Sequence, residues 1–185
     1  MRAPSPAPNL CATRRDGVIR PLRLGSVERV FDFGAGPRPC LNVSFSDVVT
    51  AHHTTGIPSI TTFAEATPLL RLLPMGLAAA PLLRTGIGEV LGGMLADAVW
   101  RDAPESVDAA RFRMHVVAEA EDGRGGRAAA RLSTPEAYAF TGTVAAAIAR
   151  RVLAGDLEPG FQTPARLFGP DFVLSFPGVV REDLA

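Results

Sequence analysis

Residues 112–155 constrain the fold more tightly than any other part of this chain. Phe112, Met114, Val116 and Ala118 alternate with Arg111, Arg113 and Glu119, the period-two pattern of a half-buried strand. Asp122-Gly123-Arg124-Gly125-Gly126 has the composition of a hairpin loop, and residues 127–132 read as its return strand. The period then changes. Thr134 is placed to cap a helix, with Pro135 at its first position and Glu136 next, and Phe140, Val144, Ile148 and Val152 form a stripe at helical spacing. Arg150 and Arg151 suit the negative end of that helix, and Gly155 stops it. A hairpin that runs into a helix is not the βαβ alternation of a parallel, doubly wound sheet. The pattern predicts an α+β protein with a mixed, largely antiparallel sheet and helices packed against it.

The first half reads in the same terms. Residues 18–24 and 28–33 are short strands joined at Gly25-Ser26, residues 34–37 are a turn, and residues 40–45 are a strand with Leu41, Val43 and Phe45 on one face. Ser46 suits a helix N-cap, and Asp47 places a carboxylate in the positive first turn. That helix extends to about Thr54, with Gly56 beyond it ready for the left-handed conformation. Ile57, preceding Pro58, must be extended, and residues 59–63 resume as a strand. Residues 67–84 and 86–100 read as two helical pieces, 103–108 as a polar linker, 164–168 as a short helical turn and 172–176 as a final strand.

With 185 residues, 47% of them apolar, the chain has the length and composition of one domain with a real core, residues 16–185, preceded by a disordered extension over 1–15. Zero formal net charge gives no general attraction to nucleic acid or anionic membrane. Every one of its basic residues is Arg, which excludes a Lys Schiff base or a Lys general acid from this chain. Cys11 and Cys40 make no disulfide framework and suit reduced thiols in a cytoplasmic protein. In the most apolar stretch, residues 69–100, the longest uncharged run is 72–83, well short of the roughly 20 residues of a membrane-spanning helix.

Chemistry concentrates in two places. The first is the helix over residues 46–54. A histidine at the end of a helix feels its negative pole, which favours imidazolium and suits a proton donor, so His53 and His52 are catalytic candidates together with Asp47. Asp47, Thr50 and Thr54 share one helix face at spacings of three and four, and Thr50, Thr54 and Thr55 are candidates for holding substrate. Capping and surface hydrogen bonds account for Ser46, Asp47, Thr54 and Thr55 equally well. The second place is residues 160–166, where Thr163-Pro164 caps a turn and Arg166 is a candidate partner for a carboxylate. A structural clasp explains the same residues. Adjacent histidines point about 100° apart on a helix, and His115 and the cysteines are scattered, so no metal site is expected.

A dinucleotide fingerprint is also not expected. Gly86-Ile87-Gly88 with Gly92 and Gly93 has one residue too many, and Gly34-Ala35-Gly36 has Pro39 in the third glycine position. By this reading the chain alone binds no cofactor.

Taken together, the turn FGAGPRP at 33–39, DVVTAHHTTGIP at 47–58, TPEAY at 134–138 and GFQTPARLFGPDFVL at 160–174 resemble the C-terminal half of saccharopine dehydrogenase-like oxidoreductases of the trans-acting enoyl reductase type. The likeness spans about residues 16–185, with Phe45-Ser46 where the family usually has Trp-Gly and His52 where Tyr is common. The resemblance implies a substrate-side and oligomerisation domain that lacks the family's N-terminal Rossmann domain. It implies NAD(P) in the full architecture, hydride transfer to an organic or lipid-like substrate, and a partner nucleotide-binding domain or a homo-oligomer. The alternative is a non-catalytic interaction or lipid-binding module that has lost its cofactor domain.

Overall fold

The computed structural model describes residues 10–72 and 112–184. They form two compact units, one of residues 10–30, 38–52 and 57–72, the other of residues 31–37, 53–56 and 112–184. The architecture is α+β, as the sequence predicts, although its strands form three small antiparallel sheets and not one mixed sheet.

In the first unit, strands β1 (Leu10–Arg15) and β2 (Val18–Arg23) pair antiparallel. Asp16 and Gly17 between them have φ of 50° and 77°, the two positive values that a type I′ hairpin turn requires. Residues 10–15, expected to be part of a disordered extension, are therefore a strand, and Cys11, Thr13 and Arg14 are buried in it. The inward positions carry a thiol and a hydroxyl where a strand usually shows aliphatic residues, which hides the alternation. The Asp-Gly dipeptide is the sequence signal that marks this hairpin.

A second sheet has the order β3 (Glu28–Asp32), β4 (Pro37–Val43), β5 (Thr62–Glu65). β4 buries Cys40, Leu41, Asn42 and Val43 in succession, so both of its faces are covered. Phe45, expected on the inward face with Leu41 and Val43, lies beyond the strand and is 49% exposed. The expected strand at 59–63 begins later, at Thr62. Just before it, Ile60 and Arg14 exchange two backbone hydrogen bonds of 2.9 Å, which stitch this segment to β1.

Helix α1 (Asp47–Thr55) follows β4, and its third-turn residues 53–55 belong to the second unit. Ser46 C=O accepts from the amides of Val49 and Thr50, and Val48, 2% exposed, is the residue that the helix buries. Residues 68–72 are helical. The remainder of the expected helices at 67–84 and 86–100, and the linker at 103–108, lie outside the described residues.

The second unit is built on a sheet of order β6 (Met114–Glu121), β7 (Arg127–Thr134), β8 (Val180–Leu184), antiparallel throughout. An added Cβ at Gly126 would lie 2.8 Å from Asp122 Oδ2, so a larger residue there would displace the carboxylate that accepts from the Gly126 amide. The face of β6 expected to be buried is exposed, Met114 and Val116 included, and Val117 on the opposite face is half-buried. As the central strand, β7 carries the burial instead.

Helix α2 (Ala137–Leu153) starts two residues later than its capping pattern suggests. Its N-cap is Glu136, whose carboxylate accepts from the amides of Tyr138 (3.0 Å) and Ala139 (2.8 Å). Thr134, the expected cap, closes β7 and donates to Pro135 C=O. Of the expected apolar stripe, Phe140, Val144 and Ile148 are half-buried and Val152 is exposed. Helix α3 (Pro164–Phe168) is capped by Thr163 as expected.

Residues Phe172–Ser175 are a 3₁₀ helix, not the expected strand. Phe168, Phe172 and Phe176 are spaced at four, and their rings pack in succession, tilted at 4.8 Å and edge-to-face at 5.2 Å, with Phe140 of α2 5.7 Å from Phe176, also edge-to-face. Packing on α2 decides between two patterns that the residues satisfy equally. The Arg151 guanidinium lies 4.2 Å over the Phe168 ring and pairs with Asp156 at 2.7 Å, fixing the end of α2 to this aromatic row.

Among the described residues no helix is long and apolar enough to cross a membrane.

Candidate functional site

The first unit holds Asp47, Thr50 and His52. Asp47 sits in the first turn of α1 and is exposed, and no hydrogen bond or ion pair engages it among the described residues. Thr50 Oγ1 donates to Ser46 C=O at 3.3 Å, a bond internal to the helix. His52 is half-buried, with Nδ1 2.8 Å from Ile57 C=O. A carbonyl only accepts, so Nδ1 carries the proton and a neutral His52 keeps Nε2 as its basic atom. The extended exit through Ile57-Pro58, after Gly56 at φ 74°, brings that carbonyl back to the ring.

The second unit holds His53, Thr54, Thr55 and Arg166. His53 is exposed and its ring centre lies 4.9 Å from that of Phe161. Thr54 Oγ1 and Thr163 Oγ1 are 2.6 Å apart, which joins two segments separated by more than a hundred residues. Thr163 is buried, and its hydroxyl also accepts from the Arg166 amide at 3.3 Å. Beside it, Gln162 donates from Nε2 to Pro159 C=O, while its Oε1 is buried without a hydrogen-bond partner. Arg166 is exposed and its guanidinium has no hydrogen bond or ion pair among the described residues. Thr55 is exposed at the helix end.

Of the residues singled out from sequence, His53, Thr54 and Arg166 thus share one neighbourhood through Phe161 and Thr163. Asp47 makes no hydrogen bond or ion pair with a histidine among the described residues. Phe161 and Gln162 were not singled out. Their signal was adjacency to Thr163 within the same motif, which sequence alone does not separate from a clasp.

The glycine turns do not fit dinucleotide phosphates. The amides of Gly34 and Gly36 donate to Asp32 Oδ1 at 2.7 and 3.1 Å, and those of Arg124 and Gly126 donate to Asp122 Oδ1 at 2.8 and 2.7 Å. Amides held by a carboxylate of their own loop are not open to a phosphate. Gly34 has a further task, since a Cβ there would lie 3.1 Å from Arg131 Nη1. The glycines at 86–93 lie outside the described residues. Among the described residues no three His, Cys, Asp or Glu side chains converge as metal ligands.

Both cysteines are free and buried. Burial, and then the charge of Glu65, push the Cys40 thiol above its ordinary value, so it stays neutral and is no candidate nucleophile.

The chain matches no family model, no curated protein and no solved structure.

Proposed function

We propose that this chain is the substrate-side part of a saccharopine dehydrogenase-like oxidoreductase, acting in the cytoplasm on a small organic or lipid-precursor substrate beside a separate nucleotide-binding domain. The observation that supports this reading is the 2.6 Å contact of Thr54 with Thr163, because it joins the two sequence motifs on which the family resemblance rests. Around that contact lie an exposed imidazole on an aromatic ring, a buried amide oxygen in need of a donor, and a guanidinium with no partner among the described residues.

In this reading Arg166 holds a carboxylate or thioester-linked phosphate of the substrate, Gln162 Oε1 accepts from a substrate N–H or O–H, and His53 delivers a proton. Reduced nicotinamide, held by the other domain, supplies hydride. His52 can act only through Nε2, because its Nδ1–H is committed to Ile57 C=O.

The test is NADPH oxidation by the chain together with the proteins that co-purify with it, against a panel of enoyl thioesters and oxo acids. His53→Ala is expected to lower kcat about 10²–10⁴-fold, and Arg166→Ala to raise KM. Calorimetry on the chain alone should still detect substrate. No binding to any panel member, or turnover indifferent to both substitutions, would overturn the assignment.

A further inference from the structure

We propose that the tip of the β1–β2 hairpin is a membrane-docking element, which inserts Val18, Ile19 and Ile57 into the interface of an anionic lipid bilayer. The proposal does not depend on the catalytic reading above. Val18 and Ile19 directly follow the turn and are 50% and 42% exposed. Gly17 N–H donates to Pro58 C=O at 2.8 Å, and Asp16 N–H donates to Ser59 Oγ at 3.2 Å. These bonds set the loop that carries Ile57, 40% exposed, beside the same turn. Aliphatic side chains from two segments are thus presented to solvent at one end of the first unit.

The backbone beneath them is braced. The buried Arg14 guanidinium donates to Gly17 C=O and Val48 C=O, Arg14 and Ile60 exchange backbone hydrogen bonds, and His52 Nδ1 donates to Ile57 C=O. A tip held in this way does not fold back over its own aliphatic groups, so only an external surface covers them. Geometry selects the kind of surface. In the hairpin register Val18 is level with Arg15 and Ile19 with Arg14, so the two aliphatic residues lie on opposite faces. A protein seated on one face would leave the other bare, whereas a lipid interface surrounds a turn on both.

Charge selects the lipid. Arg15, Arg20 and Arg23 are exposed, and their guanidinium groups have no ion pair among the described residues. Arg15 and Arg20 are diagonal neighbours on the Val18 face, and Arg23 is on the Ile19 face, so both faces carry cations behind an aliphatic residue. Arg20 is two residues from Val18, about 7 Å along the strand, which is the depth to which an interfacial element buries its apolar groups. Its guanidinium therefore meets headgroup phosphates when Val18 is immersed. The chain is neutral overall, but the described residues of the first unit carry seven arginines against four acidic residues. Attraction to a surface acts over a Debye length, so local charge decides it. Asp16, in the turn, is the one acid of the hairpin and opposes that attraction.

Co-sedimentation of the full chain with phosphatidylcholine vesicles, with and without phosphatidylserine, tests this. Binding is expected to require phosphatidylserine and to weaken as salt is added. Val18→Ser and Ile19→Ser should each lower the partition coefficient about tenfold, and Arg15→Ala and Arg20→Ala about fivefold each. Asparagine suits the same turn, so Asp16→Asn removes the opposing charge alone and should raise the coefficient about fivefold. No binding to phosphatidylserine vesicles at low salt overturns the proposal, and is the result expected if an acidic protein occupies the tip. Binding that natively folded Val18→Ser and Ile19→Ser variants leave unchanged also overturns it, since charge alone would then hold the chain to the vesicle. Should those variants unfold by circular dichroism, failure of Asp16→Asn to tighten binding overturns it instead.

Discussion

Asn42 is fully buried at the centre of β4, between Leu41 and Val43, and every polar group of its side chain is used. Oδ1 accepts from the Val27 amide at 2.8 Å, and Nδ2 donates to Arg23 C=O at 2.9 Å and to Cys11 Sγ at 3.1 Å. One side chain therefore fixes the turn between β2 and β3. Asn42→Leu would leave the Val27 amide without its acceptor, while Arg23 C=O keeps the Ser26 amide and hydroxyl, and should cost about 2 kcal/mol in urea unfolding. A loss below about 1 kcal/mol would mean that the turn finds other partners. None of this is legible in the sequence, where a polar residue between two apolar ones reads as a solvent-facing position. The same holds for Arg14. Its buried guanidinium donates to Val48 C=O at 2.7 Å and Gly17 C=O at 2.5 Å, carbonyls that only the folded chain brings to it. In the candidate site His53 and Arg166 were legible as residue types at element ends. The Thr54–Thr163 contact was not, because no local rule links positions so far apart.

At the scale of elements, periodicity and turn chemistry located the hairpin, α1, α2 and α3, and failed where tertiary packing chose between two patterns. The cap of α2 is instructive, because Thr134 and Glu136 both suit the position and the sheet takes Thr134. The amides of Ala139, first, and Tyr138 hold the Glu136 carboxylate below its ordinary value. A carboxyl group that is more acidic in the folded chain stabilises it above the ordinary carboxylate range, and this contribution is lost as pH falls through the depressed value. Glu136→Gln should therefore speed hydrogen exchange at the start of α2 at neutral pH, and wild type should approach the variant as the solution is acidified. Equal protection of the two proteins at neutral pH would show that the cap contributes nothing. The 172–176 segment failed in a different way. Alternation there predicts a strand, but the four-residue spacing of Phe168, Phe172 and Phe176 is what α2 and the Arg151 guanidinium engage.

Over the whole molecule the two units are held by different means. Among the described residues, Cys11, Cys40, Leu41, Val43 and Val48 are the buried apolar residues of the first unit, and Phe31 is that of the second. The second unit relies on its half-buried aromatic row and on Arg131, which pairs with Glu182 at 2.6 Å and reaches Asp32 at 3.7 Å. Exposed or partly exposed ion pairs contribute little beside buried apolar area. Amides of β4 and β5 should thus exchange with solvent more slowly than those of β6 and β7, and the reverse order in mass-spectrometric exchange would refute this ranking.

The order of strands in that second sheet also sets a timetable for synthesis. β7 pairs with β6 across a tight loop, but its other neighbour, β8, is translated only after α2, α3 and the 3₁₀ helix. At ribosomal rates the nascent hairpin waits on the order of several seconds for its third strand, with both edges bare. Arrest-peptide force profiling should register a pull when residues 180–184 clear the exit tunnel, and a pull complete before then would mean that the hairpin and α2 settle without β8.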